Sequence, residues 1–191
     1  MKKTSSCCGT ATANNGKPAC GCSDNSQSSC RATVPDKRLL IEFMYIDLST
    51  CDRCIGTDTT LEAAVADVRG LLTGAGYRVE LRKTLVETEQ QAQEFRFTTS
   101  PTIRINGADI QLDYKENDCG CCGEIAGVET DCRMWLWNGQ EYTTPPKAML
   151  IDAILHRVYG GSSAAPAEAE HGMQPVPENL KKFFNAKHTK N

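Results

Sequence analysis

Hydrophobic positions are unevenly spread along the 191 residues. The run Leu39-Leu40-Ile41-Glu42-Phe43-Met44-Tyr45-Ile46 is almost continuously apolar, the pattern of a buried central strand. A polar turn, Thr50-Cys51-Asp52-Arg53-Cys54, follows it. Leu61, Ala64, Val65, Val68, Leu71 and Leu72 then recur at helical spacing and predict an amphipathic helix that Gly74 and Gly76 stop. Tyr77 to Val86 alternates as a second strand. Glu87 to Phe97 predicts a short helix, with Thr88 and Gln91 placed as a capping box. Thr102-Ile103-Arg104-Ile105 reads as a strand ending at the hairpin signal Asn106-Gly107. Met134-Trp135-Leu136-Trp137 reads as another, turning at Asn138-Gly139 and returning through Glu141-Tyr142-Thr143. Pro145 to Tyr159 predicts the last helix of this region, with Thr144 as its cap, Pro145 in its first turn, and Leu150, Ile151, Ile154, Leu155 and Val158 as its buried stripe.

The order strand, helix, strand, helix, strand, strand, helix implies an α/β fold: a mixed β-sheet flanked by helices. It occupies residues 36–160. Residues 1–35 are rich in Ser, Thr, Asn, Gly and Cys and poor in large apolar groups, so they are expected to form a disordered arm. Residues 161–191 begin as a flexible linker, Gly161-Ser162-Ser163-Ala164-Ala165-Pro166, entered from Gly160. They end in a short tail with Leu180, Phe183 and Phe184 at helix-like spacing, ready to dock a partner or to fold against its own domain. Net charge is −3 and the basic residues are scattered, which argues against a nucleic-acid partner. No apolar run is long enough for a transmembrane helix. Met1-Lys2-Lys3 lacks the apolar segment of a signal peptide, so a cytoplasmic location is expected.

Eleven cysteines change this picture. Their number is odd, so complete internal pairing is ruled out, and in a reducing compartment closely spaced thiols more often ligate metals or do redox chemistry. Cys51-Asp52-Arg53-Cys54 lies where the first strand gives way to a helix. Ser100-Pro101-Thr102 opens a later strand. With the closing strand pair and helix, these features resemble a thioredoxin-like fold. More narrowly, the chain is similar to the uncharacterised domain-of-unknown-function family 2703 over about residues 39 to 160. The matching stretches are Asp47-Leu48-Ser49-Thr50-Cys51-Asp52-Arg53-Cys54, Ser100-Pro101-Thr102-Ile103-Arg104-Ile105-Asn106-Gly107 and Cys119-Gly120-Cys121-Cys122. The resemblance implies a cis Pro101 facing the thiols and presenting a backbone edge to an extended substrate. The chain departs from thioredoxin in lacking the tryptophan and the Gly-Pro pair of its active-site motif. It also carries a Cys-rich insertion, roughly Ile110 to Arg133.

A thiolate, not a thiol, attacks disulfides and binds metals, and a helix N-terminus favours it. Cys51 is therefore the candidate nucleophile, Cys54 the resolving thiol and Arg53 a nearby positive charge. The alternative for this pair is half of a structural zinc site. Asp47 is either a proton acceptor or a solvated loop acid. Cys119, Cys121, Cys122 and Cys132 form a second group. Four thiols suit tetrahedral Zn(II) and three a trigonal soft ion such as As(III). Neither standard iron-sulfur spacing occurs, and the rival reading is a disulfide from Cys119 or Cys122 to Cys132. Cys7, Cys8, Cys20 and Cys22, with Cys30 nearby, make the N-terminal arm a candidate to capture a soft ion. His156 reads as a surface or boundary residue, and His171 and His188 as solvated. Of Trp135 and Trp137, one is expected in the core and the other beside the cysteine loop.

Two functions follow. The first is a thiol-disulfide oxidoreductase using Cys51 and Cys54, with Pro101 and Arg53 beside them, acting on protein or small-molecule thiols and disulfides and linked to soft-metal handling. The second is a cysteine-rich binding protein or chaperone for a soft metal or metalloid (Zn, As(III), Hg or Cu), without redox turnover.

Overall fold

A computed structural model describes residues 37–160 and 175–190. The N-terminal arm, with Cys7, Cys8, Cys20, Cys22 and Cys30, and the linker around His171 lie outside the described residues. The elements run β1 (Lys37–Tyr45), α1 (Asp52–Gly74), β2 (Tyr77–Leu85), α2 (Glu89–Glu94), β3 (Thr102–Ile105), β4 (Ala108–Asp109), β5 (Lys115–Asp118), α3 (Gly120–Ala126), β6 (Asp131–Trp137), β7 (Gln140–Tyr142), α4 (Lys147–Tyr159) and α5 (Glu178–Lys190). One mixed sheet has the order β2-β1-β3-β4, with β1 parallel to β2 and antiparallel to β3. The expected α/β class, a mixed sheet flanked by helices, holds.

Local chemistry explains the element ends. Asn106 and Gly107, and again Asn138 and Gly139, take positive φ in pairs, the conformation a tight hairpin needs, so both predicted turns form. Thr88 accepts a hydrogen bond from the Gln91 backbone N–H at 3.2 Å, and the Gln91 side chain reaches back to the Glu87 N–H at 2.8 Å. The capping box thus closes one residue earlier than its usual form, and the helix it starts is shorter than predicted. The last predicted helix also begins late: Pro146 is its N-cap, and Thr144 does not cap it. A Cβ on Gly56 would come within 2.7 Å of the Thr144 hydroxyl, so that loop sits directly on α1 and is unavailable as a cap.

β1 supplies two cores. Phe43 and Met44 are neighbours on the strand and so point to opposite faces. Leu39, Ile41 and Phe43 join Ile103 and Ile105 of β3, Leu61, Val65, Val68 and Leu72 of α1, and Leu150 and Ile154 of α4. Full burial of each such side chain is worth about 1.5–3 kcal/mol. Leu71, placed on the predicted stripe, is 61% exposed instead. Met44 and Ile46 enter the second core with Phe97, Ala126 and the buried cysteines.

The predicted insertion is not a bare loop. It folds as β5 and α3, and the following strand starts at Asp131, not Met134. The closing hairpin belongs to a separate three-stranded sheet, β5-β6-β7. Arg133, fully buried, ties the two sheets: its guanidinium pairs with both Asp109 carboxylate oxygens at 2.9 and 2.7 Å, and its backbone N–H donates to the Ser100 carbonyl. Trp135 and Trp137, two residues apart on β6, share one face of the strand and do not split between core and cysteine loop. Trp135 is buried in the first core and Trp137 packs partly against it, so neither lines the cysteine group.

The C-terminal tail folds back on its own domain. Val176, Leu180, Phe183 and Phe184 are buried in the second core. Asn179 clamps Asp131 from both sides, its amide oxygen accepting from the Asp131 N–H and its amide nitrogen donating to the Asp131 carbonyl. This cover is expected to protect the thiols beneath it. A chain ending at Gly160 should react with a small thiol reagent at least about tenfold faster at its buried cysteines. Unchanged reactivity would show that α5 covers nothing.

Candidate functional site

The loop before α1 is built by one side chain. Asp47 accepts hydrogen bonds from the backbone N–H groups of Ser49, Thr50 and Cys51 at 3.0, 2.7 and 2.9 Å, and from the Ser49 and Thr50 hydroxyls. Burial alone would raise its pKa, but these bonds outweigh burial and hold the carboxyl below its usual value. Asp47 is thus a loop-forming acceptor, neither free acid nor ready base. The loop delivers Cys51 to the N-cap of α1, where free N–H groups and the helix dipole favour a thiolate.

Cys119 occupies the equivalent place in the insertion, as N-cap of α3. The two helix starts converge. Cys51, Cys119 and Cys122 are buried, with their sulfurs all within 4.8 Å of one another. The Cys122 thiol donates to the Cys51 sulfur at 3.5 Å, and the Cys132 thiol donates to the Cys122 sulfur at 3.5 Å. Cys132 arrives on β6, opposite Asn117 of β5. The two cysteine groups of the sequence therefore meet, and Cys51 is the member that joins them.

Hydrogen bonding fixes where negative charge resides. Thiols of Cys119, Cys122, Cys132 and Cys54 surround Cys51 and drive its pKa far down. Cys119 is lowered to about 7, chiefly by Cys122 and then Cys132. Cys54 is pushed up by its bond to Cys51 and by burial, Cys122 and Cys132 by their bonds to Cys119 first. Cys54 lies one turn along α1, fully buried, its sulfur 3.5 Å from the Ser100 hydroxyl. The Ser100–Pro101 peptide is cis, and Pro101 is buried, next in the chain to the Ser100 that meets Cys54. All six described cysteines are free thiols.

Cys121 stands apart. It is partly exposed, and its thiol points to the Asp52 carboxylate at 3.8 Å. Arg53 does more than supply charge. Its guanidinium donates to the Asn117 side chain at 2.6 Å and to the carbonyls of Asn117, Asp118 and Cys132 at 3.4, 2.5 and 3.2 Å. It staples α1 to the strands that bring Cys119 and Cys132. The sequence offers no signal for that partnership, since its acceptors, three backbone carbonyls and one side-chain amide, lie more than sixty positions away. Ser100 and Asp47 were legible only as parts of their motifs. His156 is exposed on α4, away from these sulfurs.

Clustered, buried and partly ionised thiols of this kind can bind a metal ion or act in redox chemistry. Residues 39–154 match the family described as "Domain of unknown function (DUF2703)", and the chain belongs to it. The match spans every described cysteine and stops before α5. No curated protein and no solved structure matches the chain.

Arg53→Ala should cost about 2 kcal/mol, since charged hydrogen bonds to three backbone carbonyls are lost. The melting temperature should fall, and the thiols of Cys119 and Cys132 should become more reactive. Wild-type melting and reactivity would contradict the stapling role.

Proposed function

We propose that this member of the family binds a soft metal or metalloid ion through thiolates, with Cys51, Cys119 and Cys122 as its ligands and Cys132 as an adjacent fourth sulfur. The mutual approach of three buried sulfurs within 4.8 Å carries the reading. Zn–S bonds near 2.3 Å place tetrahedral sulfurs about 3.8 Å apart, and the 3.5 Å steps from Cys132 to Cys122 to Cys51 need little adjustment to reach that spacing.

Charge helps to choose the ion. Burying net charge is costly unless it is balanced. Three thiolates on a trivalent ion make a neutral complex, whereas four on a divalent ion leave two negative charges. Arg53 and the α1 N-terminus offset part of that excess. A trivalent thiophilic ion such as As(III) on Cys51, Cys119 and Cys122, the three sulfurs that approach one another most closely, suits the buried setting best, with Cys132 beside them.

A second reading keeps the thioredoxin-like chemistry of Cys51 and Cys54. It is supported by their placement at the α1 N-terminus, the opposite pKa shifts each sulfur induces in the other and the neighbouring cis Pro101. Against it stands burial: both thiols have no exposed surface, so a partner's disulfide reaches Cys51 only after the cover moves. Under either reading the exchanging partners are thiols, and a reducing compartment such as the cytoplasm keeps the cluster free. No described helix is long and apolar enough to cross a membrane.

Native mass spectrometry of protein purified without oxygen and titrated with arsenite separates the two. Ion binding predicts a one-to-one adduct that Cys122→Ser weakens at least about 100-fold, beyond the usual cost of outer-shell changes. Cys54→Ser should bind as wild type does. Absence of an adduct, with a mild-oxidation disulfide lost in Cys54→Ser, would overturn the binding function in favour of the oxidoreductase.

A further inference from the structure

Five described cysteines, Cys51, Cys54, Cys119, Cys122 and Cys132, have at most 1% of their surface exposed. An ion that ends among them has to be received by something outside. Soft ions travel as complexes with small thiols and move by ligand exchange: an accessible sulfur attaches before the carrier's sulfur leaves, and the rate follows thiolate character and access. Among the described cysteines, Cys121 alone is accessible. It lies between Cys119 and Cys122 in the first turn of α3. Its hydrogen bond to Asp52, the residue after Cys51, places it over the seam between the two helix starts that carry the buried sulfurs.

We infer that Cys121 is the receiving thiol of this centre, taking the ion from a small-molecule thiol complex and passing it to Cys119, Cys122 and Cys51, with Asp52 holding the proton in between. This rests on the ion-binding function proposed above. In the first exchange the Cys121 S–H bond breaks and its proton moves to the Asp52 carboxylate. A bond forms from the Cys121 sulfur to the ion, one ion–carrier sulfur bond breaks, and the departing thiolate takes the proton from Asp52 and leaves as a thiol. No electrons are gained or lost. Each buried sulfur then repeats the exchange: a protonated one passes its proton to the departing thiolate, and where the incoming sulfur is already ionised the departing thiolate takes its proton from water. Cys121 is reprotonated when a buried sulfur displaces it, which leaves it outside the final ligand set.

Other thiols are unsuited to this part. Cys54 is sealed against Ser100, and Cys132 enters from β6 below the cluster surface. The Asp52 carboxylate also gives Cys121 a proton acceptor that carries no other bond among the side-chain contacts described for it.

The test is stopped-flow uptake of arsenite premixed with excess glutathione, read by the near-ultraviolet absorbance of As(III)–thiolate bonds, on the full chain. Cys121→Ser and Cys121→Ala should both slow uptake by about tenfold or more, with the final amplitude and the affinity of wild type. Asp52→Asn should fall between them and wild type. Uptake by Cys121→Ser at the wild-type rate would overturn the receiving role while leaving ion binding intact. A loss of affinity equal to that of Cys122→Ser would overturn it too, because Cys121 would then be a permanent ligand. A wild-type chain that binds no arsenite would remove the binding function itself and this role with it.

Discussion

Sulfur taken out of water has to find partners, and that constraint shapes much of this fold. A neutral cysteine packs as a small apolar group, but a thiolate does not. The second core accepts five buried thiols because each is matched. Cys51 has the start of α1 and the neighbouring S–H groups, Cys54 has Ser100, and the Cys132 thiol has Cys122. The surrounding devices exist to hold that arrangement. Asp47 sets the loop, Arg53 pins the insertion to α1, and α5 closes over α3 with Phe183 and Phe184 beneath it.

The shared position of Cys51 has a chemical consequence. One sulfur cannot both ligate an ion and form a disulfide with Cys54. Ion binding and oxidation of the pair are therefore mutually exclusive states of the same residue. This links the two functions first suggested by the sequence, since an oxidant strong enough to couple Cys51 and Cys54 would also remove a ligand. The pairing of opposite pKa shifts at Cys51 and Cys54 belongs to the same geometry: one sulfur keeps the charge that its neighbours' protons stabilise.

Periodicity made the principal elements legible. The apolar run of β1, the stripe of α1 and the two Asn-Gly turns are strong local signals, and each reflects a physical need that operates over a few residues. The insertion was illegible for the opposite reason. Lys115 to Asp118 is exposed along its length and shows no alternation, so β5 leaves no hydrophobic trace. Cys132 was named as part of the second group, but its place on a strand is hidden from pattern reading because that strand begins with Asp131, polar and tied to Asn179, ahead of the apolar Met134. Spacing within the Cys-rich segment suggested a self-contained group of four. The fold instead leaves Cys121 at the surface and recruits Cys51 from a motif 71 positions away from Cys122. Nothing local encodes that choice, since it depends on two helix starts meeting.

The central claim is that Cys51 and the cysteines of the insertion make one centre. Arsenic K-edge X-ray absorption on arsenite-loaded protein tests it most directly, by identifying the atoms bonded to the ion. The expected wild-type spectrum has sulfur alone in the first shell, with three neighbours, and Cys51→Ser replaces one of them with oxygen. A wild-type shell containing oxygen, or a spectrum that Cys51→Ser leaves unchanged, would contradict it.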